Sequence, residues 1–326
     1  MKSEPLATIV IPCGPGKESI LDTTESIEHY CPEPHNLVFV DDCTTDGTYE
    51  ALLAARRPNW HIIRNDKPNG FLNLHHTICA GYKYAHSNFP GRFILKLDTD
   101  ALLIRSGVIT DALKYIEANP DVGLFGIYEI DYNRPRDFAV HKNQMDNALR
   151  YWRAILGLRP SWVKVLSRAE SNGYKRGENV FGGGYFMSWP CLDAIQQSGY
   201  LEPPYSWYNP VTELCLKAIE KIRGRALPYR WHSRLSTEVY FSMATVAAGY
   251  KLAHFAAPTG PICMEWLELP YPAEEIWRKG YKVVHSVDKG PNTTALKNNG
   301  HTAREAFRKI RETERESAKA TCMIIN

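Results

Sequence analysis

The feature of this sequence that most restricts its fold is a regular alternation of short apolar runs and helical segments through its first third. The apolar runs have the length and the branched or bulky side chains of buried strands, and the segments between them carry apolar residues at helical spacing. Strands this apolar, separated by helices, predict a parallel sheet that is covered on both faces. We expect strands at residues 6–11, 37–40, 61–63 and 93–97, and helices at residues 18–30, 48–57 and 73–85. Further along the chain, residues 122–130 are apolar enough for a central strand.

Acidic residues follow two of these expected strands. Asp41 and Asp42 come after the second strand, and Asp98 and Asp100 come after the fourth, with Thr99 between them. In open α/β sheets, ligands bind outside the carboxyl ends of the strands. Both acidic pairs are therefore expected at the functional edge of the sheet.

The spacing of Asp98 and Asp100 indicates a cation site. In an extended backbone, residues i and i+2 point the same way, so the two carboxylates can converge on one small object. Two converging carboxylates are unfavourable unless a cation or a proton lies between them. Mg²⁺ or Mn²⁺ suits oxygen ligands and can also hold substrate phosphates. The alternative is that these residues only open the next turn or cap a helix that begins near Ser106.

Residues 14–19 follow a strand and open a helix, but they match neither of two nucleotide-binding motifs. A P-loop requires Gly where this chain has Ile11, and Ser or Thr where it has Glu18. A dinucleotide-binding fingerprint requires a third Gly where Ser19 stands, and Pro15 lacks a backbone N–H.

Composition narrows the class of protein. The chain has 326 residues, which is enough for a large core, and a net charge of +3, which is too small to indicate nucleic-acid binding. No apolar run approaches the roughly 18–20 residues that span a bilayer. The eight cysteines form no C-x-x-C pair, and the N-terminus lacks the layout of a signal peptide. We therefore expect a cytoplasmic protein with reduced thiols, no nucleic-acid partner and at most peripheral membrane contact.

Four segments together resemble a known family. They are residues 8–12, residues 38–48, the pair Asn69-Gly70 and residues 97–100. Their order and spacing are similar to the nucleotide-sugar-binding half of family 2 glycosyltransferases, which have the GT-A fold. The resemblance implies an α/β domain with a Rossmann-like, mixed, mostly parallel sheet flanked by helices. It also implies a donor-binding half at residues 1–130, an acceptor-binding and catalytic half of the same domain at residues 131–290, and a helical tail at residues 291–326.

The resemblance assigns roles to residues of the donor site. It places Asp41 against the nucleobase and Pro12 at the entrance to the same pocket. It makes Asp100 a direct metal ligand, with Asp98 beside the ribose or a metal-bound water in the same metal site. A late His in a His-Ser-Val context commonly supplies a third metal ligand in this family, and His285 occupies that place.

Two further acidic residues near Asp41 are expected to be structural. Asp42 and Asp46 flank the segment that leads into the second helix, and aspartates commonly bond the backbone of such turns. We expect both to hold the turn at residues 44–48.

Three successive glycines, residues 182–184, precede an apolar run in the second half of the chain. Consecutive glycines before a strand suggest a backbone that passes close to a ligand, although a plain tight turn would also use them. The family has a small-residue turn here that lies against the donor sugar and the acceptor, which implicates Gly183 and Gly184. Residues 131–180 interleave basic and aromatic side chains that suit a sugar-bearing or anionic acceptor, but no single one is assigned.

Glu238 is the expected general base. With Ser236 it can cap a helix that Gly249 ends. In the family, an acidic residue at this helix start, 11 residues before a Gly-Tyr pair, takes the proton of the acceptor hydroxyl, and Glu238 stands there. Glu213, which opens another apolar helical run, is the alternative base, and a purely capping role for Glu238 also stays open.

These observations predict a metal-dependent glycosyltransferase that uses Mn²⁺ or Mg²⁺. It would move a sugar from a nucleoside-diphosphate sugar, with UDP expected as the nucleotide, to a hydroxyl of a glycan, lipid-linked or small-molecule acceptor with inversion. A retaining transferase of the same fold and a non-catalytic nucleotide-sugar or glycan-binding protein are the alternatives. The helix expected at residues 301–320 has a narrow apolar face, so we expect a solvated tail there. Contact with an anionic membrane and packing on the domain are the alternatives for this helix.

Overall fold

A computed structural model of the chain describes residues 5–70, 74–131, 134–156, 161–202, 210–224, 235–265, 269–288 and 302–325. From β1 to β4 strands and helices alternate, as the sequence predicts for the first third of the chain. The strands are β1 (Ala7–Cys13), β2 (His35–Asp41), β3 (Trp60–Arg64), β4 (Phe93–Leu97), β5 (Ala101–Leu103), β6 (Val122–Gly126), β7 (Ile130–Asp131), β8 (Arg134–Pro135), β9 (Gly184–Ser188), β10 (Lys251–His254), β11 (Ile262–Met264) and β12 (Val283–His285).

Most of the helices in the described ranges flank the sheet. They are α1 (Lys17–Tyr30), α2 (Thr48–Ala55), α3 (Leu74–Asn88), α4 (Val108–Ala118), α5 (Ala139–Leu156), α6 (Val163–Ser171), α7 (Trp189–Gln197), α8 (Pro210–Arg223), α9 (Thr237–Ala247), α10 (Ala273–Arg278) and α11 (Ala303–Ile325). None of the helices in the described ranges contains an apolar stretch of the length that spans a bilayer.

The central sheet has seven strands in the order β10-β6-β9-β4-β1-β2-β3. Every neighbouring pair is parallel except the two that involve β9, which runs antiparallel to β4 and β6. The prediction of a mixed, mostly parallel sheet flanked by helices is therefore confirmed. Strands β9 and β10 lie beyond residue 130, so the expected donor and acceptor halves share one sheet.

Both faces of the sheet are buried, which explains the continuous apolar strands. Along β1, Val10 packs into one core cluster while Ile9 and Ile11 pack into another, as the two-residue period of a strand requires. The first cluster contains side chains of α3, α6, α7 and α9, and the second contains side chains of α1, α2 and α4.

One expected strand is shorter than its apolar run. The run at residues 122–130 predicts a single central strand, but β6 ends at Gly126. Ile130 instead begins β7, which pairs with β8 in a separate two-stranded sheet. Gly126 lies so close to its neighbours that an added Cβ would be 2.9 Å from Val180 Cγ1. Tertiary packing therefore decides where this strand ends.

A second, three-stranded sheet joins distant parts of the chain in the order β11-β12-β5. Strand β5 begins directly after Asp100, and β12 pairs with it antiparallel so that His285 lies opposite Ala101. This register places His285 beside the turn that connects β4 to β5.

The C-terminal helix α11 packs on the domain, so the prediction of a solvated tail is wrong. Ala303 and Phe307 are buried in a third core cluster that also contains residues of α10. On its polar side, Arg304 and Arg311 are buried and both donate hydrogen bonds to Asp22 of α1. Arginines on an amphipathic helix normally indicate a solvated face, and here a buried carboxylate on another helix reverses that expectation.

Candidate functional site

The acidic turn, residues 98–100, connects β4 to β5 at the edge where parallel strands end. The side chain of Asp98 is 25% exposed and that of Asp100 is 12% exposed. The backbone of the turn is fixed from two sides. The N–H of Asp98 donates to the carbonyl of Gly183 at 3.1 Å, and the hydroxyl of Thr23 donates to the carbonyl of Thr99 at 2.8 Å.

His285 meets the two carboxylates of the acidic turn. Its Nε2 lies 3.1 Å from Oδ1 of Asp100 and 3.9 Å from Oδ2 of Asp98. One ligand atom from each of the three side chains lies within 4.8 Å of the others. The sequence-predicted metal ligands are thus brought together, and we call them the ligand cluster (Asp98, Asp100 and His285).

The imidazole of His285 indicates that the ligand cluster suits a cation. Its side chain is only 4% exposed, yet neither ring nitrogen is hydrogen-bonded to the described residues. A buried ring nitrogen without a hydrogen bond is unfavourable, and a neutral imidazole facing two carboxylate oxygens can complete the coordination of a divalent ion. The residues present therefore fit Mn²⁺ or Mg²⁺.

The segment after His285 holds Asp100 in place. The hydroxyl of Ser286 donates to Oδ2 of Asp100 at 3.0 Å, and the N–H of Val287 donates to the Asp100 carbonyl at 3.0 Å. These bonds leave Oδ1 of Asp100 facing His285. Hydrogen bonds of this kind orient ligands around a metal.

Lys96 is a charged neighbour that the sequence analysis missed. It lies inside β4 with 2% of its surface exposed, and its Nζ donates to a carboxylate oxygen of Asp98 and to the carbonyl of Gly182. The ammonium lessens the repulsion between the two carboxylates of the acidic turn. A lysine within an apolar strand run was the available signal, because lysine is almost never fully buried without a partner.

A buried tyrosine lies beside Lys96. Tyr185 of β9 has its ring centroid 5.9 Å from Nζ of Lys96, and its hydroxyl accepts a hydrogen bond from Tyr82 at 2.8 Å. Burial raises the pKa of Tyr185 well above its usual range, and the nearby charges of Asp98 and Glu238 raise it further. This phenol therefore stays protonated and neutral beside the ligand cluster.

The glycine turn, residues 182–184, runs between the ligand cluster and the expected base. A Cβ added to Gly183 would lie 2.5 Å from Nδ1 of His285, and a Cβ added to Gly182 would lie 3.2 Å from Oε2 of Glu238. The backbone of this turn therefore passes close to two protein side chains, whereas the sequence suggests close passage to a ligand. The predicted contact of Gly183 and Gly184 with donor and acceptor stays a prediction.

Glu238 lies in the first turn of α9 and is partly exposed. No hydrogen bond or ion pair joins its carboxylate to any described residue. Ser236 occupies the N-cap position but forms no side-chain capping bond, and Gly249 follows the helix with a positive φ of 94°. Helix α9 therefore begins and ends where predicted, without the capping bond. The alternative base, Glu213, belongs to α8, and its side chain lies outside the described part of the structure.

A cavity of about 490 Å³ opens beside the acidic turn. Its volume is in the range of small-molecule and cofactor sites. Pro12 lines it, as expected for a residue at a pocket entrance. The lining residues are Pro12, Cys13, Gly14, Pro15, Ser19, Asp42, Gly70, Leu74, Thr77, Asp98, Thr99, Asp100 and Asp288.

The two aspartates after β2 have different surroundings. Asp41 is fully buried and is held by Thr44, whose hydroxyl donates to Oδ1 at 2.5 Å, and by Arg64, whose Nε lies 3.1 Å from Oδ2. Asp42 lines the cavity, and its carboxylate accepts hydrogen bonds from the N–H groups of Asn69 and Gly70 at 2.8 and 2.7 Å. Asp42 therefore lines the cavity, whereas Asp41 is buried and is not among the lining residues.

The expected structural roles of Asp42 and Asp46 are met in part. Asp46 accepts hydrogen bonds from the N–H groups of Gly16 and Thr48, so it holds the turn before α2 as predicted. Asp42 holds the segment at residues 65–70 rather than the turn at residues 44–48, so that prediction is wrong. The third strand ends beside Asp42, and this proximity is set by the sheet rather than by sequence neighbours.

Residues 8–178 match the family described as Glycosyl transferase family 2. A search of curated proteins found no match.

Solved structures that match this chain include two of TarS from S. aureus and one of a mannosyltransferase from Pyrobaculum calidifontis. TarS 1–349 is 13% identical with a TM-score of 0.40, covering 77% of this chain and 58% of that one. TarS 1–349 in complex with UDP-GlcNAc is 20% identical with a TM-score of 0.32, covering 42% of this chain and 38% of that one. The mannosyltransferase PcManGT in complex with GDP-Man and Mn²⁺ is 16% identical with a TM-score of 0.37, covering 76% of this chain and 74% of that one. The chain spans less than two thirds of the length of either TarS chain.

Proposed function

Because this chain belongs to glycosyl transferase family 2, we propose that it is a metal-dependent glycosyltransferase that moves a sugar from a nucleoside-diphosphate sugar to an acceptor hydroxyl. The observation that carries the proposal is the convergence of Asp98, Asp100 and His285 beside the 490 Å³ cavity. Two carboxylates and an imidazole at one edge of a cavity suit a divalent cation and a phosphate-bearing ligand.

The ligand cluster would hold Mn²⁺ or Mg²⁺. When bound, such an ion supplies Lewis-acid stabilisation of the charge that develops on the departing diphosphate. The chain's own contribution is to orient the ligands: Ser286 fixes one oxygen of Asp100, and Lys96 fixes one oxygen of Asp98.

The cavity would bind the nucleotide between the end of β1 and the start of α3. Pro12 lies on one side of it, and Leu74 and Thr77 lie on the other. Asp41 is the nucleobase contact that the family resemblance implies. Its neighbour Asp42 is the stronger candidate on geometry, because Asp42 lines the cavity whereas Asp41 is buried against Thr44 and Arg64.

Glu238 would act as general base. Its carboxylate is partly exposed and lies across the glycine turn from His285, and it would accept the proton of the acceptor hydroxyl as that oxygen attacks the anomeric carbon. A base on the face opposite the leaving diphosphate gives inversion at the anomeric carbon. Gly183 and Gly184 would leave room for the sugar and the acceptor near this point.

Thermal unfolding tests the binding half of the proposal. A ligand that binds only the folded state raises the melting temperature by mass action. We expect UDP, GDP or dTDP to raise the melting temperature with Mn²⁺ present, and to raise it far less when EDTA replaces Mn²⁺. A nucleotide effect that is the same with and without the ion would contradict the role of the ligand cluster.

Product analysis tests the transfer half. Donor hydrolysis or transfer in the presence of Mn²⁺, absent with chelator, is expected, and a protein that binds donor without turnover would instead be a non-catalytic binding module. The anomeric configuration of the product, determined by NMR, is expected to be inverted. Retention of configuration would identify a retaining transferase on the same fold and would remove the need for Glu238 as base.

A further inference from the structure

Arg304 is a buried arginine on the first turn of α11, and 6% of its surface is exposed. Its guanidinium forms a two-pronged contact with Asp288, in which Nε donates to Oδ1 at 2.6 Å and Nη2 donates to Oδ2 at 2.8 Å. Nη2 also donates to the carbonyl of Thr99 at 2.7 Å. Arginine suits such a contact because its planar fork matches a carboxylate.

The two groups that Arg304 joins belong to the two segments of the ligand cluster. Thr99 lies between Asp98 and Asp100 in the acidic turn, and Asp288 is three residues after His285. One side chain therefore bridges the turn that carries both carboxylates and the segment that carries the imidazole.

The contacts of Arg304 exclude a direct role in binding phosphate. Its remaining nitrogen, Nη1, donates to Oδ2 of Asp22 at 2.8 Å and to the carbonyl of Ser19 at 3.1 Å. A guanidinium has five N–H donors, and all three of its nitrogens are engaged with protein acceptors here. A substrate phosphate would have to displace one of these contacts.

Attachment of α11 to the domain does not depend on Arg304 alone. Arg311 donates to Oδ1 of Asp22 at 2.6 Å, and Arg308 donates to the same oxygen at 2.9 Å. Burial opposes ionisation of Asp22, but Arg311 and Arg304 outweigh it and lower the pKa of this carboxyl. Asp22 is thus an ionised anchor shared by three arginines, of which Arg304 alone also contacts the acidic turn and Asp288 among the contacts that the structure describes.

We propose that Arg304 is a positioning residue that holds the acidic turn and the segment at residues 285–288 at the separation at which the ligand cluster can bind a divalent cation. The inference rests on the proposed function, since the cation is the one proposed there. It assigns a function to the C-terminal helix, which would fix the geometry of a site built from residues of the central domain.

Mn²⁺ binding tests the inference without relying on turnover. The affinity is measured from the electron paramagnetic resonance signal of free Mn²⁺ during titration of the full chain, for wild type, Arg304→Gln, Arg304→Lys and Arg308→Gln. Loss of an outer partner typically weakens metal affinity about 10–100-fold, which is the weakening expected for Arg304→Gln. Arg304→Lys keeps the charge but not the fork, so we expect an intermediate affinity.

Arg308→Gln is the matched control. It removes a contact with Asp22 from the same helix, but the side chain of Arg308 is 42% exposed and contacts neither Thr99 nor Asp288 in the described structure. We expect wild-type Mn²⁺ affinity for this variant. Equal weakening in Arg304→Gln and Arg308→Gln would overturn the inference, because the effect would then follow from loosening α11 in general.

Two further results decide the remaining cases. Wild-type Mn²⁺ affinity in a folded Arg304→Gln protein would overturn the inference while leaving the proposed function intact. Absence of Mn²⁺ binding by the wild-type protein would overturn both. If circular dichroism shows that Arg304→Gln does not fold, Arg304→Lys decides the question by the same measurement.

Discussion

The acidic turn and the C-terminal segment contribute to the same site in different ways. The turn supplies Asp98 and Asp100 from positions two residues apart at the end of one strand, so a local pattern predicts it. The C-terminal segment supplies His285 through pairing of β12 with β5, and it supplies Arg304 through packing of α11 on α1. Local spacing is thus enough to propose a cation site. A third ligand, His285, would reach that site only through contacts between distant parts of the chain.

The largest expected effect is that of Asp100→Ala, and its comparison with His285→Ala separates the contributions of the two regions. Asp100→Ala removes a carboxylate that faces both His285 and the cavity, so we expect transfer to fall to background and Mn²⁺-dependent donor binding to be lost. His285→Ala leaves both carboxylates, so we expect weaker Mn²⁺ binding with some transfer at high Mn²⁺. The measurement is transfer rate as a function of Mn²⁺ concentration. Equal loss of transfer in both variants at all Mn²⁺ concentrations would contradict this difference between the two regions.

Glu238→Gln tests whether the second half of the chain supplies the base. We expect donor and Mn²⁺ binding to be retained and transfer to fall by about 10²–10⁴-fold, the usual contribution of general base catalysis. The matched control is Glu213→Gln, for which we expect transfer close to that of wild type. Wild-type transfer by Glu238→Gln, together with a loss in Glu213→Gln, would assign the base to Glu213.

The glycine turn connects the two functions, and two substitutions separate them. In Gly183→Ala the new Cβ would lie 2.5 Å from Nδ1 of His285, so we expect displacement of the ring, weaker Mn²⁺ binding and a stability loss of about 1–3 kcal/mol. In Gly182→Ala the Cβ would lie 3.2 Å from the flexible end of Glu238, so we expect reduced transfer with Mn²⁺ affinity retained. Mn²⁺ titration and thermal unfolding distinguish the two. The reverse pattern would contradict the described contacts.

Asp41→Asn and Asp42→Asn sharpen the assignment within the N-terminal region. Hydrogen bonds to a charged group contribute about 1.5–3 kcal/mol, so loss of one from the nucleotide would weaken its binding by about 10–100-fold. We expect this loss in Asp42→Asn, and we expect Asp41→Asn mainly to lower thermal stability, because Asp41 is buried against Arg64. Isothermal titration with UDP measures the first effect. Weaker binding only in a stable Asp41→Asn protein would restore Asp41 as the nucleobase contact.

The smallest expected effect concerns the anchor of the C-terminal helix. Arg311 and Arg304 lower the pKa of Asp22 against the effect of burial, so the ionised carboxylate stabilises the folded state above the unfolded pKa of about 3.9. This stabilisation is lost as the pH falls through the lower folded pKa. The difference in unfolding free energy between wild type and Asp22→Asn, from urea denaturation, should therefore be present at neutral pH and shrink below about pH 4. A difference that does not change with pH would show that Asp22 is not an ionised anchor.

Sequence patterns predicted the strands and helices of the first third well. The buried residues of each element are apolar and recur at the spacing of a strand or a helix, so the sequence shows them directly. The four strands expected there all occur, and β4 has the predicted bounds. Lys96 and Asp42 show where such patterns end. Burial of the Lys96 side chain depends on Asp98 and Gly182, which accept its hydrogen bonds. Asp42 accepts hydrogen bonds from the segment at residues 65–70, which follows β3. The i, i+2 spacing places Asp98 on the same side as Lys96, but neither Gly182 nor the segment at residues 65–70 can be identified as a partner from spacing along the chain.

The sequence by itself determined the alternating architecture, the edge at which the acidic residues lie and the family to which the chain belongs. Only the tertiary structure decided that His285 meets Asp98 and Asp100, that the glycine turn separates His285 from Glu238, and that α11 is bound through Asp22. The physical reason is that periodicity and strand ends are properties of neighbouring residues, whereas strand register and buried ion pairs depend on which distant surfaces meet. A helix with six basic side chains at residues 304, 308, 309, 311, 315 and 319 is a solvated tail or a packed anchor depending on whether one buried carboxylate lies opposite.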